Sequence, residues 1–185
     1  MFIQTEATPN PNTMKFLPGQ DVLVEGTQFF TDRENAAKSP LASALFEVEQ
    51  VRAVFYGSDF ITVTKAEDAS WDVLKPPVLT TIMEHFVSGK PLMGDAPVEV
   101  KKEKAYSAED QEIVDQIKEL IETRVRPAVA QDGGDIVFHA FEDGIVKLEM
   151  HGACSGCPSS TATLKQGIEN MLKHYVPEVI AVEPV

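Results

Sequence analysis

Cys154 and Cys157 are the only two cysteines among 185 residues, and two residues separate them. A pair spaced in this way can place both sulfurs on one soft metal centre, or open and close as a disulfide. The surrounding run is Gly152-Ala153-Cys154-Ser155-Gly156-Cys157-Pro158-Ser159-Ser160-Thr161. Gly152 and Gly156 permit the tight or positive-φ backbone of a loop. Pro158 suits the first position of a helix, so Cys157 is expected at a helix N-terminus, where free N–H groups and the dipole favour a thiolate.

Three uses of the pair compete. Free cysteines are often small buried hydrophobes, but a glycine-rich loop, the pair spacing and a helix start would then coincide by chance. A thioredoxin-like redox pair is a sharper alternative, yet Ser155-Gly156 lie between the cysteines with proline after them, and no βαβ run with a preceding strand-and-aromatic context appears. Metal ligation accounts for more of the pattern. Structural zinc and iron-sulfur clusters usually take four ligands, and one chain supplies two cysteines. His151 precedes Cys154 by three, but it reads equally well as a strand residue beside Leu148 and Met150; His139 is a strand position, His174 lies near a helix end and His85 belongs to another part of the chain. The economical ligand set comes from two chains, each lending one pair at a two-fold axis.

The loop must be held by neighbouring elements, and their pattern is readable. Ser107 stands three residues before Asp110 as a helix cap, and Ile113, Ile117, Leu120, Ile121 and Val125 follow at helical spacing until Arg126-Pro127. Residues 136–141 and 145–150 flank Glu142-Asp143-Gly144 as a hairpin. Asp132-Gly133-Gly134-Asp135 reads as a glycine turn leading into that hairpin, with its carboxylates solvated, while Arg124 and Arg126 complement the dipole at the helix end. Beyond the cysteines, Ala162, Leu164, Ile168, Met171 and Leu172 outline a second helix, and residues 179–182 a last strand.

Residues 1–90 predict a separate α+β unit: strands at 2–5 and 13–17, a helix at 40–46, a hairpin of 51–56 and 60–64, and a helix whose core stripe is Trp71, Leu74, Val78, Ile82 and Phe86. Pro, Gly and charge concentrate in 91–106, which reads as a linker. The expected fold class is therefore α+β in two small domains, 1–90 and 107–185, the second an α-β-β-α-β sandwich.

Sixteen basic against twenty-nine acidic residues leave the chain at −13, which argues against nucleic acid as a partner. No window reaches the ~18 apolar residues of a membrane span, and the start lacks the signature of a secretion signal. Cytoplasm is the expected location, or the mitochondrial matrix if a leader has been removed. No Ser-His-Asp order, phosphate-cradling loop or paired-carboxylate site stands out, so the chain is not expected to be an enzyme.

Asp132-Gly133-Gly134-Asp135 followed by the hairpin and Met150-His151-Gly152-Ala153-Cys154-Ser155-Gly156-Cys157-Pro158-Ser159-Ser160-Thr161-Ala162-Thr163-Leu164 resembles the C-terminal domain of the NifU, or Nfu, family. Thr8-Pro9-Asn10-Pro11-Asn12-Thr13-Met14-Lys15-Phe16 resembles the N-terminal domain that accompanies it. The resemblance implies an iron-sulfur cluster scaffold or carrier. Cys154 and Cys157 would be its metal and cofactor ligands, a 4Fe-4S cluster would bridge a homodimer, and apo iron-sulfur proteins and an upstream cluster donor would be its partners. It also implies that the Asp132–Asp135 turn packs near the cluster loop. A thiol-disulfide oxidoreductase and a zinc-bridged structural dimer remain the alternatives.

Overall fold

Glu142 and Ile145 face each other across a two-residue turn in which Asp143 and Gly144 both take positive φ, 51° and 76°. That backbone matches the twist of antiparallel strands and suits an Asp-Gly pair. It joins β6 (Gly134–Glu142) to β7 (Ile145–Gly152) in the computed structural model, which describes residues 1–94, 104–156 and 158–185, the side chains of 158–160 excepted. The chain divides into two compact units, Met1–Val98 and Glu99–Val185. Most of the expected linker, 91–106, lies outside the described residues.

In the first unit, β1 (Gln4–Ala7), β2 (Thr13–Leu17), β3 (Gln28–Phe30), β4 (Val51–Tyr56) and β5 (Ile61–Lys65) form an antiparallel sheet in the order β1-β2-β5-β4-β3. Helices α1 (Arg33–Ala36), α2 (Pro40–Glu47) and α3 (Trp71–Ser88) accompany it. Leu74, Val78 and Ile82 of α3 are buried, as their spacing predicts, while Trp71 and Phe86 pack at the margin of the core. The sequence reading did not anticipate β3 and α1. Both are short, although Asp32 caps α1 by accepting from the Asn35 N–H. Leu92 and Met93 pack on this core and Gly94 N–H donates to Lys38 O, so the chain is tied to the first unit as far as residue 94.

The second unit runs α4 (Ala108–Leu120), a π-helical segment Ile121–Val125, α5 (Arg126–Gln131), β6, β7, α6 (Pro158–Tyr175) and β8 (Ala181–Pro184). The sheet order is β6-β7-β8, with β8 parallel to β7. Ser107 caps α4 as expected, accepting from the Asp110 N–H at 3.2 Å. The helix does not stop at Arg126-Pro127, however. The wider π turn carries the Arg126 N–H to Ile121 O five residues back, and the helix continues past a proline that has no N–H to give. Val114, Ile117, Ile121, Val125 and Val129 form its buried stripe, packed against Ile136, Val146, Leu148, Ile168, Leu172 and Val182. Ala162 is exposed rather than part of the α6 face. Glu169 on α6 accepts from the Val182 N–H at 3.1 Å, tying the helix to β8.

Candidate functional site

The cysteine loop leaves the end of β7 and enters α6, and three backbone features shape it. Gly152 and Gly156 take positive φ, 62° and 74°, which explains glycine at both positions. Ser155 N–H donates to Gly152 O at 3.1 Å, closing the turn beneath Cys154. Ala153 N–H donates to Gly133 O at 3.1 Å, joining the loop to the turn that precedes β6. Gly133 itself stands at φ 80°. The α6 end contributes Thr161, whose Oγ1 donates to Cys154 O at 3.4 Å. Cys157, the second expected ligand, lies outside the described residues, immediately before the first residue of α6.

Cys154 is buried, only 6% exposed. Gly134 leaves room for its sulfur. A Cβ at that position would stand 2.5 Å from Cys154 Sγ, 3.0 Å from Cys154 N and 3.0 Å from His151 O. The absent side chain at Gly134 is therefore the space that the sulfur uses. The Asp132–Asp135 turn does pack against the cysteine loop, as the family resemblance implies.

The electrostatics at Cys154 oppose its ionisation. Burial, and then the negative charges of Asp132 and Asp135, push its thiol up to about 12. Cys154 sits in the loop before α6, away from the helix end at which a thiolate is expected for Cys157. A coordinating metal can overcome such resistance, because it deprotonates its thiol ligands outright.

Asp135 is not solvated. It is 3% exposed, and its carboxylate receives Arg126 as a fork, Nε to Oδ1 and Nη2 to Oδ2, both at 2.8 Å. Oδ1 also accepts from the Ile136 N–H at 2.8 Å. Arg126 Nη1 donates to Glu122 at 2.7 Å, and these partners hold its guanidinium still more firmly charged than usual. Because the helix runs on to Gln131, Arg124 and Arg126 do not serve its final turn; Arg124 lies over the Tyr175 ring, 4.9 Å from its centroid. The Arg126–Asp135 pair was missed in the sequence. An acidic residue beside two glycines and an arginine nine positions earlier were its only signal.

The histidines fall as the strand reading suggested. His139 Nδ1 lies 2.9 Å from Glu149 Oε1 and His151 Nε2 lies 3.3 Å from Glu149 Oε2. Among the described residues no group of three or more His, Cys, Asp or Glu is arranged to hold a metal ion. Nor is any described helix long and apolar enough to cross a membrane.

Comparison with known proteins adds a second line of observation. Residues 3–89 match the family model described as scaffold protein Nfu/NifU N terminal, and residues 117–183 match the NifU-like domain. The chain is 54% identical over 185 residues to NifU-like protein 4, mitochondrial, of Arabidopsis thaliana, covering 99% of this chain and 65% of that protein. It thus spans just under two thirds of that relative's length. It is 53% identical over 186 residues to the NFU1 iron-sulfur cluster scaffold homolog, mitochondrial, of Homo sapiens, covering 100% of this chain and 72% of that protein. A NifU-like protein from Saccharomyces cerevisiae solved by NMR aligns with 52% of this chain and 87% of its own, at a TM-score of 0.47 and 24% identity. That structural likeness is partial, and the assignment rests on the sequence matches. The two family models, and relatives that align over 99% and 100% of this chain, establish that it belongs to the Nfu/NifU family.

Proposed function

We propose that this chain is an iron-sulfur cluster scaffold or carrier that holds a 4Fe-4S cluster between two subunits, through Cys154 and Cys157 of each, and delivers it to apo-proteins. The observation that carries this reading is the seat of Cys154. A thiol is built into a loop where a glycine turn, a strand end and a helix start meet, in a chain of the Nfu/NifU family. The ligand count supports sharing, since two cysteines per chain make four only in pairs. The cluster is cargo here, so a site that comes apart into halves is an advantage.

The competing thiol-disulfide reading finds no support at Cys154. An attacking thiol is exposed and easily ionised, whereas this one is buried and its ionisation is opposed by two carboxylates. A zinc-bridged dimer would use the same ligands and is separated by metal analysis. The recipients are apo iron-sulfur proteins and the source is an upstream cluster donor. The working compartment is a reducing one, cytoplasm or mitochondrial matrix, where an unpaired thiol persists. With −13 on each chain, self-association is electrostatically opposed, so the cluster itself supplies the attraction between subunits.

Anaerobic reconstitution of the full chain with iron and sulfide tests this. The expected product is a brown protein with about four irons and four sulfides per two chains. It should sediment as a dimer and revert to monomer on chelation. Zinc retained in place of iron, disulfide reduction by a metal-free monomer, or an equally tight dimer after chelation would overturn the proposal.

A further inference from the structure

We infer that Arg126 and Asp135 are positioning residues for the cluster ligand Cys154: their forked ion pair fixes the glycine turn on which the sulfur rests. This inference depends on the cluster-carrier reading for its purpose, but its geometry stands by itself. Asp135 is buried and bound at three points, twice by Arg126 and once by the Ile136 N–H of its own strand. Its carboxylate therefore has one orientation. The preceding residue, Gly134, is the one whose missing Cβ makes room for Cys154 Sγ. The residue before that, Gly133, accepts the Ala153 N–H. Across the sheet, Asp135 is in register with His151, three residues before the cysteine. A shift of Asp135 would be transmitted to Cys154 from two directions, through Gly134 beneath the sulfur and through the end of β7 that feeds the loop.

The choice of arginine fits orientation rather than charge alone. A lysine could neutralise Asp135, but only a planar guanidinium delivers two parallel bonds and so fixes the plane of the carboxylate. The helix is shaped to present it. Arg126 is the first residue after the π segment, a local widening that re-aims the side chains following it, and Glu122 within that segment takes the remaining face of the guanidinium at 2.7 Å. A plain salt bridge would need none of this. Metal ligands tolerate displacements of only about 0.2 Å, so a support that removes play from the turn matters more for a ligand than for the stability of a small sheet.

The experiment compares Arg126→Gln, Asp135→Asn and Arg126→Lys with the parent chain, each as the full chain and each also carrying Cys157→Ser so that Cys154 is the only thiol. In the single-thiol series, the alkylation rate of Cys154 in the apo protein is measured by iodoacetamide with mass detection, alongside the thermal transition. Arg126→Gln and Asp135→Asn should raise the alkylation rate about tenfold or more while the transition remains cooperative, because local opening at the turn exposes the sulfur. Arg126→Lys should fall between them and the parent, and it decides the matter if the neutral variants do not fold. In the two-cysteine series, the same variants should lose bound iron to a chelator faster than the parent, in the same rank order. Unchanged alkylation and unchanged chelator resistance in folded variants would overturn the inference. A parent chain that takes up no iron would defeat the carrier reading instead, and the alkylation series would still report whether the ion pair positions Cys154.

Discussion

Gly134→Ala separates the support of the sulfur from the stability of the fold. Gly134 lies at the start of β6 without positive φ, so alanine meets no backbone strain there, only a steric one. The new methyl carbon would stand 2.5 Å from Cys154 Sγ, and ordinary contact begins near 3.4 Å, so something must give by 3.4 − 2.5 = 0.9 Å. Backbone atoms at 3.0 Å, Cys154 N and His151 O, prevent the methyl from moving aside, which leaves the sulfur to move. Overpacking of this kind costs about 1–3 kcal/mol. The reduced freedom of alanine in the unfolded chain offsets about 0.4–1 kcal/mol of it. The domain should therefore fold with a net loss of roughly 0–2.5 kcal/mol, against a typical stability of about 5–15 kcal/mol. For the proposed ligand a 0.9 Å shift is another matter, because it lies several times beyond the tolerance of a metal bond and, in the proposed dimer, is repeated in both subunits. Resistance of the loaded protein to a chelator should fall about 10–100-fold, the range seen when residues supporting metal ligands are changed. Urea denaturation of the apo protein and iron loss from the loaded protein measure the two quantities side by side. Parent-like iron retention in a folded variant would refute the role assigned to Gly134, and so would a stability loss of many kcal/mol with no change in retention.

Three further outcomes follow from the same site. Cys154→Ala or Cys157→Ala should abolish loading while leaving the apo fold in place, the buried Cys154 change costing about 1 kcal/mol by denaturation; parent-like iron content in either variant would contradict their assignment as ligands. The Cys154 thiol, raised in the fold from 9.0 to about 12, contributes stability that is fully present below its unfolded value and lost as pH climbs from about 9 towards 12. The apo parent should thus lose about 2 kcal/mol more than Cys154→Ala between about pH 9 and 10.5, and parallel pH profiles would refute this. Residues 107–185 alone should fold and load, whereas transfer to an apo 4Fe-4S acceptor should slow when residues 1–90 are removed. Equal transfer rates across several acceptors at matched loading would deny the first unit a delivery role.

The parts of the site that are local in sequence were legible in it. Gly152, Gly156 and Pro158 announce a loop running into a helix, and Asp143-Gly144 announces the turn that sets β6 against β7, because each demands a backbone conformation that few other residues supply. The core stripe of α3 was equally plain, since periodicity is a property of neighbours. What escaped was long-range. Asp135 looked like an exposed turn residue because acidic residues beside glycines usually are, and only the helix path past Pro127 brings Arg126 to it. That path depends on a π turn, which no propensity marks, and proline seemed to end the helix where the wider turn in fact accommodates it. The resistance of the Cys154 thiol to ionisation was hidden in the same way, because the burial and the carboxylates that act on the sulfur come from a different part of the chain.

A carrier must satisfy two demands that oppose each other, and on the proposed reading this chain answers them with different parts. The ligand must be in place before the cluster arrives, or binding would have to order a loop as well as form bonds. Here that order is intrinsic to one chain: the Gly133–Ala153 hydrogen bond, the Gly134 cradle and the Arg126–Asp135 fork all exist without a partner. The cluster must also leave, and no single chain holds all four of its ligands. Each subunit contributes half of a four-ligand set, so retention depends on the two chains remaining together, and their like charges favour separation once the shared ligand bonds weaken. Stiffness of the half-site and weakness of the whole are then compatible, because the first is set by contacts inside the fold and the second by association between folds. A chain with four cysteines of its own on the same scaffold would hold a cluster more tightly, and it would lose the means of releasing it by coming apart.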